Sequence, residues 1–344
     1  MPLVPLYWAG VAGKNLLYSK GWLRVRRLAW PVISVGSLSA GGAGKTPVAL
    51  MLAELLTRHR VGVQVLSRGY GRRSGVVEEV EASGEASRFG DEPLEMARAG
   101  VRVFVGAERF DVGLLAERGG SRGAGEATSQ SQDMGHPDSC ADERVHLLDD
   151  GFQHRRLARG LDVVLLTTED RRDSLLPAGN LREPLASLRR ADVVVVREDE
   201  SENLREVVAR YPQLEIWVVR RELVLPAQRP QQALAFCAIA RPEGFFAMLA
   251  EAECQVVGKA TFPDHHAFTE ADVERLVKTA RHASADGFVT TAKDAVKISD
   301  RMRAQLERVG PLVVAGLRVR LIDEGGAWRR IEQLLKEPAS AKSK

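Results

Sequence analysis

The run Pro31-Val32-Ile33-Ser34-Val35 leads directly into Gly36-Ser37-Leu38-Ser39-Ala40-Gly41-Gly42-Ala43-Gly44-Lys45-Thr46. A short β-branched segment of this kind reads as a buried strand. The apolar residues that follow, Val48, Leu50, Met51, Leu52, Leu55 and Leu56, recur at helical spacing. Strand, glycine-rich loop, Gly-Lys-Thr and helix together make a P-loop. Glycines let backbone N–H groups turn inward around phosphate oxygens, and the helix N-terminus adds its positive dipole end. The expected cradle for a nucleotide's phosphates is Ser39, Ala40, Gly41, Gly42, Ala43, Gly44, Lys45 and Thr46. Lys45 would reach the β- and γ-phosphates, and Thr46 would ligate Mg2+. Pro47 falls in the first helical turn, where a missing N–H does no harm. Ser39 stands where the usual pattern has its first glycine.

Working outward, Val61–Leu66, Leu161–Leu166 and Ala191–Val196 are further apolar runs, and Val145-His146-Leu147-Leu148 ends on Asp149-Asp150-Gly151. An acid at the end of a hydrophobic strand is what a P-loop uses to help hold Mg2+, so Asp149 and Asp150 are both candidate ligands. The runs are uniformly apolar rather than alternating, as in strands covered on both faces. With helical stretches between them they predict an α/β fold, a P-loop NTPase-like, doubly wound parallel sheet.

The chain divides, on this reading, into an N-terminal segment (1–30), a P-loop unit (31–225) that ends beyond a strand at Glu215–Arg220, a second, smaller α/β unit (226–337) and a polar tail (338–344). The smaller unit is read as a strand over Ala233–Ala240, a helix near Pro242–Glu253, a strand near Gln255–Thr261 and a helix from about Thr269. Its last helix, near Ala327–Lys336, is placed to pack back on the first unit. Residues 119–144 contain no Val, Ile, Leu, Phe, Tyr or Trp. Such a stretch cannot supply a core, and it reads as a disordered surface insertion.

With 344 residues, 44% hydrophobic and 28% charged, the chain is long enough for two cored units, and wholesale disorder is excluded. Three scattered cysteines are too few for a disulfide framework or a four-cysteine zinc site. The net charge is only +3, and residues 1–30 hold five basic residues and no acid. The basic character is thus local, which argues against nucleic acid as a partner. That same segment carries Trp8, Trp22, Trp30, Tyr7 and Tyr18. It is too short in apolar residues to span a bilayer. Aromatics interleaved with Lys and Arg suit a helix lying on an anionic membrane surface; the alternative is a helix packed on its own domain with a solvated basic face.

Six further clusters are dense in polar residues: Ser67-Arg68-Gly69-Tyr70-Gly71-Arg72-Arg73, Gly90-Asp91-Glu92-Pro93, Asp149–Arg155, Leu176–Pro184, Phe262-Pro263-Asp264-His265-His266 and Thr290-Thr291-Ala292-Lys293-Asp294. In this order, and with the Ser-x-Gly-Gly-x-Gly-Lys-Thr loop, the sequence resembles the tetraacyldisaccharide 4'-kinase family of lipid A biosynthesis from about Val32 to Lys297. The family's own P-loop has the same form, so Ser39 is no defect within it. The resemblance implies transfer of the γ-phosphate of ATP, with Mg2+, to the 4'-hydroxyl of a tetraacylated glucosamine disaccharide 1-phosphate. It implies work at the cytoplasmic face of the bacterial inner membrane as a peripheral protein, because an acceptor with buried acyl chains does not leave the bilayer. The connection at 119–144 is longer than the family's.

The resemblance further implies that Asp91 is the general base and that His265 pairs with it; read on residues alone, Asp91 also suits a helix N-cap. Glu92 is a candidate second acid near Mg2+, or simply first-turn charge that favours the helix dipole. Arg68, Tyr70, Arg72, Asn180 and Arg182 are expected to bind the acceptor, since arginine forks match phosphate oxygens. Lys293 and Asp294 either approach the nucleotide or cap a helix. Nothing in the sequence calls for an obligatory protein partner. Two other readings stand beside this one: a P-loop kinase of a soluble metabolite, and a nucleotide-dependent switch. The absence of an Asn-Lys-x-Asp motif favours ATP over GTP.

Overall fold

A computed structural model describes residues 3–41, 43–121, 143–264 and 266–337. Gly42, His265, most of the 119–144 insertion and the 338–344 tail therefore lie outside the described residues.

Alternating strands and helices build one sheet of 12 strands in the order β10-β9-β11-β12-β8-β7-β6-β1-β5-β2-β4-β3. The first half comprises α1 (Leu3–Ser19), β1 (Val32–Ser37), α2 (Lys45–Arg58), β2 (Val61–Ser67), β3 (Glu78–Glu79), α3 (Ala86–Phe89), α4 (Asp91–Arg98), β4 (Arg102–Val105), α5 (Arg109–Ser121), β5 (Glu143–Asp149), β6 (Leu161–Leu165), β7 (Val193–Arg197), α6 (Ser201–Val208) and β8 (Glu215–Val224). The second comprises β9 (Ala233–Cys237), α7 (Pro242–Glu251), β10 (Val256–Thr261), α8 (Glu270–His282), β11 (Gly287–Thr291), α9 (Ala292–Ala295), α10 (Asp300–Leu306), β12 (Leu312–Leu321) and α11 (Glu324–Lys336).

From β4 to β8 the strands are parallel, and both faces are covered. One face packs on α2, α4 and α11 through Leu52, Leu55, Leu94, Ile331 and Leu334. The other packs on α5 through Val112 and Ala116, and on α6 through Leu204 and Val208. In the second half α8 and α10 cover one face with Leu276 and Leu306, and α7 covers the other with Phe245, Phe246 and Leu249. The layered, doubly wound α/β architecture read from the sequence is the one observed.

The second strand of the chain, β2, lies beyond β5, whereas β6 lies on the other side of β1. The strand order thus reverses at β1, and the crevice at such a switch point is where α/β sheets bind ligands. Register completes the placement, because Val35 of β1 sits opposite Asp149 of β5. The halves join through β8 and β12: β8 pairs parallel with β7 from Glu215 to Val219, then antiparallel with β12 from Val219 to Val224. That ribbon extends past the Glu215–Arg220 strand read from sequence. Its alternating Arg220, Glu222 and Arg320 look like a charged loop until the cross-strand Arg320–Glu222 pair at 3.3 Å is seen.

The N-terminal segment differs from the single helix expected over 1–30. The helix ends at Ser19, Gly21 takes φ 72°, and Arg26 bridges to Leu157. Residues 20–31 form an irregular strap along the P-loop unit. On α1, Val4, Tyr7, Val11, Asn15 and Tyr18 are at least partly buried while Leu3, Leu6, Trp8 and Leu16 are exposed. The inward set has helical spacing, so one stripe faces the protein. Among the described residues no helix is long and apolar enough to cross a membrane.

Candidate active site

The loop after β1 and the first turn of α2 form the floor of the site. Gly41 and Gly44 take φ 74° and 85°, a left-handed backbone that glycine adopts without a Cβ penalty. Gly44 is the residue before α2, and Thr46 is buried in the helix's first turn. Ser39 is buried and anchors the loop through its backbone: its carbonyl accepts from Ser37 Oγ at 2.8 Å and from Arg182 Nη2 at 3.0 Å. The N–H of Ala40 donates to the Asn180 carbonyl at 2.8 Å. The Leu181–Glu183 turn therefore buttresses the P-loop.

Lys45 Nζ lies 3.6 Å from Asp150 Oδ1. Arg182 grips the same carboxylate with both Nη atoms at 2.7 Å. Burial alone would raise the Asp150 pKa, but the Arg182 bonds and the Lys45 charge outweigh it and bring it down to about 2. Asp150 holds φ 49°, a strained backbone for a non-glycine residue and one that concentrates at functional sites. Its neighbour Asp149 is buried and accepts from Ser67 Oγ at 2.9 Å. Burial, then the charges of Glu92 and Asp150, push its carboxyl well above the usual range. Asp149 Oδ1 has no hydrogen-bond partner among the described residues.

A buried carboxylate oxygen without a partner, crowded by two other acids, is the chemistry a divalent cation relieves. Among the described residues no group of three or more His, Cys, Asp or Glu is arranged to hold a metal. Mg2+ does not need one, because it is commonly held by one or two carboxylates together with substrate phosphates. Thr46, Asp149, Asp150 and Glu92 fit it on that basis.

Asp91 opens α4, and Gly90 occupies the cap position with no side-chain capping bond. The capping alternative for Asp91 is thus not the arrangement observed. Its carboxylate is 3.5 Å from Lys297 Nζ. Lys297, 5% exposed, also pairs with Asp294 at 3.1 Å. Asp294 is fully buried, accepting from the Ala238 N–H at 2.9 Å and Thr291 Oγ1 at 2.7 Å. It is a structural anchor at the end of β9 and the start of α9. One turn earlier, Lys293 Nζ is 3.2 Å from Asp264 and 4.0 Å from Glu92. Two lysines of the second half therefore take hold of the Asp91-Glu92 pair of the first.

The loop carrying Arg68, Tyr70 and Arg72 interlocks with the Asp91 loop. A Cβ on Gly90, at φ 92°, would stand 2.9 Å from the Tyr70 carbonyl. Tyr70 is 77% exposed and Arg68 is exposed. Arg72 is bound inside its own loop, to the Val76 carbonyl at 2.7 Å and to Glu78 at 3.9 Å. The expected acceptor residues thus split. Arg68 and Tyr70 face solvent beside Asp91, while Asn180 and Arg182 join the phosphate floor. His265 and Gly42 lie outside the described residues.

Sequence reasoning missed Lys297, Glu95 and Arg109. Glu95 stands one helical turn from Asp91 and Glu92 on α4, a spacing that puts them on one face. Arg109 is buried at the start of α5, and burial holds its pKa down despite the nearby charge of Asp149. Its only signal was a basic residue just past the end of β4.

A cleft of about 610 Å³ runs from Gly44–Pro47 past Glu92 and Glu95 to an apolar end formed by Leu223, Phe245, Met248 and Leu317. Its size suits a nucleotide.

A model of the tetraacyldisaccharide-1-P 4'-kinase family matches residues 1–336. The tetraacyldisaccharide 4'-kinase of Koribacter versatilis is 39% identical over 97% of this chain and 98% of its own. That of Geobacter metallireducens is 34% identical over 96% and 95%. A crystal structure of LpxK from Aquifex aeolicus in complex with ATP superposes with a TM-score of 0.74 at 31% identity, covering 97% of this chain and 98% of that one. With the family model matching nearly the whole chain and relatives at 34–39% identity covering it almost end to end, the chain belongs to the tetraacyldisaccharide-1-P 4'-kinase family.

Proposed function

We infer that this kinase transfers the γ-phosphate of ATP to the 4'-hydroxyl of a tetraacylated glucosamine disaccharide 1-phosphate, a step of lipid A biosynthesis. The observation that carries the reading is the convergence of Lys45, Thr46 and Glu92 on one cleft of nucleotide size, with Asp149 close enough to feel the charges of Lys45 and Glu92 and Asp91 adjoining Glu92 at the start of α4.

The P-loop N–H groups and Lys45 bind and orient the phosphates, and Arg182 holds Asp150 in place. Mg2+, held by Thr46 with Asp149, Asp150 and Glu92, would supply neutralisation of charge on the phosphate oxygens. Asp91 takes the proton of the sugar hydroxyl as that oxygen bonds to the γ-phosphorus and the β–γ bridge breaks to leave ADP. By its resemblance to the family, His265 is the partner that orients Asp91. Arg68 and Tyr70, exposed beside Asp91, are the acceptor-facing residues of this reading. Closure of the two halves over the cleft would exclude water, the competing acceptor.

The membrane placement rests on α1. Its inward stripe is pinned near the site: Tyr7 Oη donates to the Arg182 carbonyl at 3.0 Å and Asn15 Nδ2 to Glu183 at 2.9 Å. Its other face leaves Leu3, Leu6 and Trp8 in solvent, and Trp22 follows on the strap. That arrangement supports a peripheral kinase on the cytoplasmic face of the inner membrane, with the acceptor's sugar brought to Asp91. A soluble acceptor would give these apolar residues no use.

Transfer of labelled γ-phosphate from ATP to the tetraacyl disaccharide 1-phosphate in detergent micelles tests the reading. Wild type should label the lipid, and Asp91→Asn should lose at least about a hundredfold, the usual scale of general-base contributions. ATP consumption without lipid labelling would remove the acceptor assignment.

A further inference from the structure

The phosphate floor is not the only cationic part of the cleft. Arg197 at the end of β7, Arg221 on β8 and Arg241 before α7 line it as well. Two of the three are neutralised: Arg197 pairs with Asp199 at 3.2 Å, and Arg241 pairs with Glu169. Arg221 is partly buried, yet its guanidinium makes no hydrogen bond or ion pair with a described residue. Burial, and after it the charge of Arg197, works against its own charge; Asp199 and Glu200 offset part of this, and Arg241 adds to it.

A half-buried guanidinium that faces a cleft and lacks a protein partner is free to bind an anion that enters it. Arg221 also lines a small recess with Ala43, Gly44, Pro47 and Arg197, so it borders the P-loop itself. Its position is fixed by the ribbon, where it pairs across to Val319 of β12. A side chain on paired strand backbone presents its fork with little reorganisation, and guanidinium is the group best matched to phosphate oxygens.

We propose that Arg221, flanked by Arg197 and Arg241, is a second polyphosphate-binding residue, gripping the nucleotide's phosphate chain from the β8 side of the cleft. The proposal rests on the reading of this cleft as the ATP site, and the test separates the two. Full-length protein is titrated calorimetrically with ATP, ADP and adenosine, without acceptor lipid, as wild type, Arg221→Ala, Arg221→Lys and Lys45→Ala. Loss of one charge-assisted contact corresponds to roughly tenfold weaker binding. Arg221→Ala should therefore weaken ATP and ADP about tenfold and leave adenosine unchanged. Arg221→Lys should recover part of the loss, and the nucleotide-free melting temperature of Arg221→Ala should be no lower than wild type. Wild-type ATP affinity in Arg221→Ala, with Lys45→Ala weakened, overturns the role of Arg221 and leaves the ATP site standing. Equal weakening of adenosine and ATP, or a lowered nucleotide-free melting temperature, marks a structural role and also overturns it. Unchanged ATP binding in Lys45→Ala removes the ATP-site reading and this proposal with it.

Discussion

Crowding among carboxylates sets the behaviour of Glu95. Burial, then the charge of Glu92, raises its pKa to about 7, with Lys293 opposing. An acid whose folded pKa exceeds its unfolded value holds a proton that the unfolded chain releases first. Stability is unaffected below about pH 4.5, falls as pH rises towards 7, and stays reduced above it. Glu95→Gln should therefore raise the melting temperature of the nucleotide-free protein at pH 8 and leave it nearly unchanged at pH 4.5. An equal effect at both pH values, read by calorimetry, would deny the shift. The same scale shows what sequence could reveal. Lys45, Thr46, Asp149 and Asp150 stand out in the sequence because phosphate and metal chemistry calls for such residues at fixed local spacing. Lys297 and Arg221 were not, because their surroundings are assembled from distant segments: Asp91 reaches Lys297 only after the chain has built a second half. Arg182 was read as an acceptor residue, and its bidentate hold on Asp150 depends on a strained backbone that no spacing rule anticipates.

At the scale of elements, the strands were legible because each is a continuous apolar run. Val61–Leu66 and Leu161–Leu166 differ from β2 and β6 by a single residue. Of the ribbon of β8 and β12 only Glu215–Arg220 was legible, because beyond it Arg221, Glu222, Arg318 and Arg320 break the apolar run and mimic a loop. The start of α11 hid behind Gly325-Gly326, although Asp323 caps it by accepting from the Gly326 N–H at 2.8 Å. That helix returns to the first half. Trp328 stacks on His59 with ring centroids 3.6 Å apart, and Arg58 holds Glu324 with two bonds of 2.9 Å. Leu334, 3% exposed, packs in the same core as Ile33 and Leu52. Leu334→Ala should cost about 2–5 kcal/mol, the range for a large-to-small change in a core. Chemical denaturation checks this, and a loss below about 1 kcal/mol would mean α11 is loosely docked, since surface changes stay within roughly half that.

For the whole molecule, one sheet carries the phosphate floor in its first half and the lysines that hold Asp91 and Glu92 in its second. On its flank, α1 ties an apolar outer face to the same floor. If that face meets a membrane, replacing Leu6, Trp8 and Trp22 together with Ser should sharply reduce sedimentation with anionic vesicles. Phosphate transfer to a detergent-dispersed acceptor should change little, because none of the three reaches the cleft. Unaltered vesicle binding would return α1 to a purely structural role. Composition signalled the basic, aromatic segment, but only packing shows which residues of it face outward.

The return of α11 bears on how the protein is made. A nascent chain exposes its N-terminal strands first, and domains tend to fold in that order during synthesis. Here Ile331 and Leu334 complete a core begun at Ile33. Every residue between Ile33 and Ile331 must be synthesised before that core can close. Until then the face of the first half awaiting α11 is an apolar groove open to chaperones or to other chains. The two halves mature together, and a message cut short before its last helix would yield a kinase half with an unsealed seam.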